Sequence, residues 1–185
     1  MKTSMATCLS VIVLITNFQL MAATQVEVQW QNPEKYRDVR PASESRKQFR
    51  ESTFKKLDAY LQELSSKLPD GSKLLMTVTD LDLAGQVWPA SFTGLGRGSS
   101  DIRVIKDVDI PRMTFNYQLM SNTGEILKGA DVDLKDMSFL SRTNHRFRRD
   151  TLGYEKSMLK RWFDKEFSEQ ITQKVMEKGI SEADS

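Results

Sequence analysis

The sequence predicts a single α+β domain, in which one twisted, mostly antiparallel sheet of about five strands carries two amphipathic helices on one face. Segments with two-residue hydrophobic alternation, which is typical of strands, lie before and between two long segments with helical spacing. The 185 residues, 39% of them hydrophobic, can bury one sizeable core, and no internal repeat indicates a second domain. The order strand, helix, strand, strand, hairpin, helix is most simply satisfied by one sheet covered by both helices.

The N-terminal half supplies the first three elements of this prediction. Gln25 to Trp30 alternates between polar and apolar residues, which predicts a half-buried strand. From Ser43 to Leu68, apolar residues recur at three- and four-residue steps, which predicts a helix that ends before Pro69. Lys73 to Leu83 has apolar residues on both faces and predicts a central strand, which a parallel crossover would join to the first.

The C-terminal half begins with a Gly-rich stretch. We expect residues 87–100 to form a flexible loop, followed by a short strand from Ile102 to Ile105. The alternation on either side of a polar turn predicts an antiparallel hairpin from Arg112 to Leu134. Aromatic and aliphatic residues at helical spacing predict a final helix from Tyr154 to Val175, and residues 179–185 are expected to form a frayed tail.

The first 23 residues have the pattern of a secretory signal peptide. Lys2 provides a basic start, residues 5–21 are mainly apolar, and residues 22–23 are alanines. We therefore expect a periplasmic protein whose single domain comprises residues 24–185, without a transmembrane helix after cleavage. The alternative is an uncleaved signal that anchors the protein in the membrane, which needs about 20 predominantly apolar residues.

Charge and cysteine content exclude several kinds of function. A net charge of +2 is small for a protein that neutralises a phosphate backbone, so we expect no nucleic-acid partner. The single cysteine, Cys8, lies within the predicted signal peptide. The domain after the signal therefore has no cysteine for a disulfide, a nucleophile or a zinc site. We also predict no cofactor, because the glycines at Gly94, Gly96 and Gly98 lack the spacing of a nucleotide-binding loop.

Several separate blocks of the sequence resemble one protein family. The blocks are Thr79 to Gly85, Asp101 to Asp107, Ile110 to Met113, Tyr154 to Lys156 and Trp162 to Phe163. In this order they are similar to the proteobacterial family known as domain of unknown function 3016, over about Val26 to Phe167. The resemblance implies a small exported protein of Gram-negative bacteria without an established activity, and it brings no catalytic or binding residues with it.

Acidic pairs are the first candidate for a functional site. They are Asp80 with Asp82, Asp107 with Asp109, and Asp131 with Asp133. The first pair interrupts an apolar strand, and a buried carboxylate needs a cation or several hydrogen bonds. Asp80 and Asp82 are therefore a candidate calcium or magnesium site if two pairs converge, or they form structural ion pairs with Arg103 or Arg112. The simpler alternative is that all these acids are solvated at strand edges and turns.

An Arg-rich connection between the hairpin and the last helix is the second candidate. Arg142, Arg146, Arg148 and Arg149 lie close together there, and guanidinium groups bind phosphate or carboxylate groups in bidentate fashion. The alternative is a solvated loop whose arginines pair with nearby acids. The sole histidine, His145, has no nucleophile motif to serve, so we predict no catalytic residues.

The sequence therefore favours a non-enzymatic periplasmic or envelope accessory protein that binds an anionic envelope component or another envelope protein. A carboxylate- or metal-dependent periplasmic hydrolase built from Asp80, Asp82, Asp107 and Asp109 is the alternative. Simple interaction with an envelope protein is a third possibility, and it predicts an exposed apolar patch. The ligand, the partner and the oligomeric state do not follow from the sequence.

Overall fold

The computed structural model describes residues 23–36, 39, 45–88, 102–141 and 150–183. These residues combine helices with β-structure, which confirms the predicted mixture of α and β elements. The elements are β1 (Gln25–Trp30), a 3-10 turn (Pro33–Lys35), α1 (Arg46–Ser65), β2 (Lys73–Asp82), β3 (Gln86–Trp88), β4 (Ile102–Val104), β5 (Arg112–Met120), β6 (Ile126–Lys135), α2 (Gly153–Glu166) and α3 (Ser168–Ala183).

The described strands form two sheets, so the expectation of one sheet of about five strands is wrong. The main sheet has the order β1-β2-β5-β6, with β1 parallel to β2 and the other pairs antiparallel, while β3 and β4 form a separate two-stranded sheet. The separation begins at Gly85, whose φ of 72° bends the chain out of β2. A Cβ atom at Gly85 would lie 2.3 Å from the carbonyl oxygen of Val104, so only glycine allows β4 to cross there.

One face of the main sheet and two helices enclose the core. Alternate residues of β5, including Phe115 and Tyr117, point to this face and are buried. Leu57 and Leu61 of α1 and Leu159 of α2 are fully buried in the same cluster. The helices α1 and α2 therefore cover one face, while the other face of the main sheet carries mostly polar side chains.

The predicted final helix is two helices. The break lies at Phe167, whose φ of −107° and ψ of 24° depart from helical values. Its ring is fully buried against the rings of Phe163 and Tyr117, with centroids 4.8 Å and 5.4 Å away, so packing holds the chain at this non-helical residue. The following α3 extends to Ala183 and so includes residues 179–183, for which a frayed tail was expected.

Two further expectations, the loop at residues 87–100 and the signal peptide, fall largely outside the described residues. The predicted loop at residues 87–100 is wrong at its start, because Val87 and Trp88 pair with Arg103 and Ile102 in the β3–β4 hairpin. Residues 89–100 lie outside the described residues, as do residues 1–22 of the predicted signal peptide. Of the helices described, none combines the length and the apolar character that crossing a membrane requires.

Candidate functional site

The Arg-rich connection, with Arg142, Arg146, Arg148, Arg149 and His145, lies outside the described residues, but the chain on both sides of it is described. On the β6 side, the Asp136 carboxylate is almost fully buried and forms an ion pair with Arg161 of α2. Its other oxygen, Oδ1, accepts the backbone N–H of Ser138 at 3.3 Å. Phe139 is buried and meets the ring of Tyr154 edge to face, with centroids 5.0 Å apart. The turn before the connection is therefore fastened to α2 at two points.

On the α2 side, the connection ends at a carboxylate that is also occupied. Asp150 Oδ1 accepts the backbone N–H of Leu152 at 2.9 Å, and Oδ2 binds Nζ of Lys156 at 2.5 Å. Burial acts to raise the pKa of Asp150, but the bonds from Lys156 and Leu152, with the charges of Lys156 and Lys56, hold this pKa below its usual value. Asp150 is therefore ionised at neutral pH and neutralised by a partner on α2.

A buried ion pair joins the two sheets to the start of α2. The side chain of Glu155 is 1% exposed, and its Oε1 accepts the backbone N–H of Ala84 at 2.8 Å and Nη2 of Arg103 at 2.5 Å. Arg103 also donates from Nε to the carbonyl oxygen of Ala84 and from Nη1 to that of Thr151. Because one guanidinium binds the turn after β2, the loop before α2 and Glu155, we call this group the Arg103 clamp.

The two predicted partners of Asp80 and Asp82, Arg103 and Arg112, take part in different contacts. Arg103 is engaged in the Arg103 clamp, whereas Nε of Arg112 lies 3.9 Å from Oδ2 of Asp82. Arg112 and Asp82 are also directly opposite each other in the β2–β5 ladder. This long, half-exposed contact ties two neighbouring strands at the end of the main sheet.

The acidic pairs are spread over the solvent side of the sheet and one turn. Asp80 is opposite Thr114, which is itself opposite Asp133, so two strand spacings of about 4.8 Å separate the two aspartates. Asp107 and Asp109 lie in the turn between β4 and β5 instead. Within the ranges that the structure describes, no three His, Cys, Asp or Glu residues are grouped so that they could hold a metal ion.

Exposed apolar side chains interrupt this polar surface at several places in the described part of the chain, including α3 and the turn after β6. On α3, the side chains of Val175, Met176 and Ile180 are exposed over successive turns. At the end of the main sheet, Met137 and Leu140 are exposed in the turn before the Arg-rich connection. Exposed patches of large apolar side chains mark surfaces that meet a partner or a membrane.

Sequence reasoning did not identify Glu155, Arg161 or Lys156 as partners in this region. A signal for Glu155 was present, because Leu159 and Phe163 follow it at four-residue steps and both are fully buried. A glutamate in register with a buried stripe must be buried too, and it then needs a cation. That cation is Arg103. No sequence pattern identifies it, because its position depends on the β3–β4 hairpin, which leaves the main sheet.

Comparison with known proteins gives one match. A search of curated proteins found no match, and a search of solved structures also found none. A scan against protein families matched residues 24–165 to DUF3016, described as a protein of unknown function. The match spans the main sheet, the β3–β4 hairpin, α1 and almost all of α2, and α3 follows it. Since it covers well over half of the sequence, the chain belongs to the DUF3016 family.

Proposed function

We propose that the protein is an exported, non-enzymatic accessory protein of the cell envelope that binds an anionic envelope component through Arg142, Arg146, Arg148 and Arg149. The pattern of residues 1–23 supports export. The ligand carries phosphate or carboxylate groups, because a planar guanidinium donates two parallel hydrogen bonds to either group.

The pairing of the neighbouring acids carries this proposal. The competing interpretation of the Arg-rich connection is a loop whose arginines are neutralised by nearby carboxylates. The acids closest to it in the sequence, Asp136, Asp150 and Glu155, are bound by Arg161, Lys156 and Arg103 respectively. Since each of these carboxylates already has a basic partner, we expect the four arginines to bind an anion from outside the protein.

A thermal-unfolding experiment tests the binding. Residues 24–185 would be melted with and without inorganic polyphosphate and with and without a short-chain anionic phospholipid below its micelle concentration. A ligand that binds only the folded state raises the melting temperature. We expect a rise with the anion that disappears in high salt, because exposed charges are screened.

Charge-reversed variants locate the binding. Arg148→Glu with Arg149→Glu should abolish the rise in melting temperature. Arg46→Glu with Lys55→Glu is the matched control, because it changes the net charge equally at exposed positions of α1. If the parent shows no rise with either anion, or if both double variants behave like the parent, the proposal is wrong.

Export is tested separately by the mass of the protein recovered from the periplasm. Cleavage of the signal leaves a chain that begins at Ala23 or Thr24. Recovery of the intact chain in the membrane fraction would instead support the uncleaved membrane anchor.

A second candidate function is binding of another envelope protein through α3, which the exposed Val175, Met176 and Ile180 favour. In-cell cross-linking from α3 tests it, with Val175→Ser and Met176→Ser expected to abolish the cross-link.

The hydrolase alternative makes a different prediction for Asp80 and Asp82. It requires a hydrolytic activity and a thermal shift with calcium or magnesium that Asp80→Asn and Asp82→Asn remove.

A further inference from the structure

The two edges of the main sheet differ in what covers them. At β1, the backbone N–H of Val26 donates to Oε1 of Gln62 at 3.2 Å, and Nε2 of Gln62 donates to the carbonyl oxygen of Thr24 at 2.9 Å. A side chain of α1 therefore covers part of the β1 edge. At the other end of the strand order, β6 pairs with β5 alone among the described strands. The outer edge of β6 is therefore a row of backbone groups to which a further strand could bond.

The register of β6 determines which of its backbone groups face outward. Arg112 is opposite Lys135, so the next pair is Pro111 with Asp136, and the N–H of Asp136 donates to the carbonyl oxygen of Pro111 at 3.2 Å. Because bonded and non-bonded pairs alternate along an antiparallel ladder, residues 130, 132 and 134 bond to β5. Residues 129, 131 and 133 direct their N–H and C=O groups away from β5. Within the described part of the chain, no backbone group bonds to these outward groups.

A strand added to this edge would meet different chemistry on the two faces of β6. Val132 and Leu134 point toward the helices, are half-buried and pack against the core. On the opposite face, the side chains of Asp131 and Asp133 are exposed and alternate with them. Across the ladder, these two acids are opposite an asparagine and a threonine of β5. Asp133 binds Nζ of Lys135 at 2.6 Å, but both side chains are about half exposed, and such pairs contribute little.

A second copy of this chain does not fit the edge as an antiparallel strand. Self-pairing centred on residue 131, 132 or 133 places Asp131 opposite itself, Asp131 opposite Asp133, or Asp133 opposite itself. Like charges directly opposite each other destabilise a strand pair. Self-pairing centred nearer either end meets the register shift opposite Leu119 and Met120 or the turn after Lys135. The charges of β6 therefore favour a strand of different sequence.

We propose that β6 binds an extended segment of another protein as an additional strand of the main sheet, and that this segment alternates basic with apolar residues. Its lysine or arginine side chains lie opposite Asp131 and Asp133, and the apolar residue between them lies beside Val132 on the face that the helices cover. Main-chain hydrogen bonds and cross-strand pairs of opposite charge both stabilise such an addition. The proposal goes beyond anion binding and does not depend on the Arg-rich connection.

Amide exchange in the presence of a synthetic peptide tests the added strand. The probe is a short peptide in which lysine and valine alternate, mixed with the protein at millimolar concentration. The N–H groups of residues 129, 131 and 133 should exchange with solvent more slowly when the peptide is present. Those of residues 130 and 132 should not change, because they already bond to β5. A peptide of the same composition with its lysines and valines grouped controls for non-specific attraction and should not slow the exchange.

Charge reversal tests the pairing with the two acids. Asp131→Lys with Asp133→Lys should weaken binding of the lysine peptide about tenfold or more, and this variant should instead bind a peptide in which glutamate and valine alternate. The matched control is Glu34→Lys with Glu51→Lys, which changes the net charge equally at exposed positions away from β6 and should bind the lysine peptide like the parent. Because all four residues are exposed, both double variants should melt close to the parent.

Each outcome bears on the added strand. Slower exchange at residues 129, 131 and 133, together with the reversed peptide preference of Asp131→Lys/Asp133→Lys, supports the proposal. If these N–H groups already exchange slowly in the free protein, the edge is occupied and the proposal is wrong. The proposal is also overturned if the alternating peptide slows none of them, or if it binds the parent and Asp131→Lys/Asp133→Lys equally. Anion binding is tested separately by the thermal shift with polyphosphate.

Discussion

Replacing Arg103 with alanine would leave the carboxylate of Glu155 buried at the start of α2 without its cation. The side chain of Glu155 is 1% exposed, and its Oε1 would keep the hydrogen bond from the backbone N–H of Ala84. Removing one partner of a buried ion pair costs about 3–5 kcal/mol. In a domain of this size each kcal/mol lowers the melting temperature by about 2–4 °C, so we expect Arg103→Ala to melt roughly 6–20 °C below the parent.

Equilibrium unfolding in urea measures this loss directly. Arg112→Ala is the control, because its contact with Asp82 is 3.9 Å long and more exposed, and such pairs contribute about 0–1 kcal/mol. Adding Glu155→Gln to Arg103→Ala should recover part of the lost stability, because the buried group is then neutral. If Arg103→Ala costs no more than Arg112→Ala, the Arg103 clamp does not hold α2 to the two sheets.

Three further predictions concern other parts of the fold. Gly85→Ala should lower the free energy of unfolding, measured in urea, by about 1–3 kcal/mol, because φ is positive and the new Cβ would meet Val104. Gly179→Ala is the control, because a Cβ there would have nothing within 4 Å, and it should be neutral or slightly stabilising. Leu61→Ala should cost about 2–5 kcal/mol because it leaves a cavity in the core.

The third prediction is that the contribution of Glu166 to stability depends on pH. The hydrogen bond from Tyr117, aided by Lys128 against the opposing effect of burial, holds the pKa of Glu166 below its usual value. This stabilisation is therefore present above the unfolded-state pKa of about 4.3 and is lost as pH falls through the folded-state pKa. Tyr117→Phe should lower stability by about 1–2 kcal/mol at neutral pH, and its difference from the parent should shrink in acid.

Elements with strong local periodicity were predictable from the sequence. The β5–β6 hairpin matches the alternation from Arg112 to Leu134, and β1 and α1 lie within their predicted segments. The break at Phe167 was not predictable, because its residue type continues the apolar stripe and only the packing against Phe163 and Tyr117 interrupts the helix. Local spacing reports which face is buried, but it does not report what that face meets.

The contacts around the candidate site could not be predicted from the sequence to the same extent. The pairing of Asp136 with Arg161 joins residues 25 positions apart, and that of Arg103 with Glu155 joins residues 52 apart. Such contacts depend on where the second sheet and α2 lie relative to the main sheet. The exposed Met137 and Leu140 carry no periodic signal either, because they are single apolar residues in a turn.

The most direct measurement of the central claim is the melting temperature of residues 24–185 with inorganic polyphosphate, for the parent and for Arg148→Glu/Arg149→Glu. The acids that flank the Arg-rich connection are already paired, so its arginines should take their anion from solution. If these arginines bind the anion, we expect a salt-sensitive rise for the parent and none for the variant. An equal rise in both, or no rise in the parent, would contradict it.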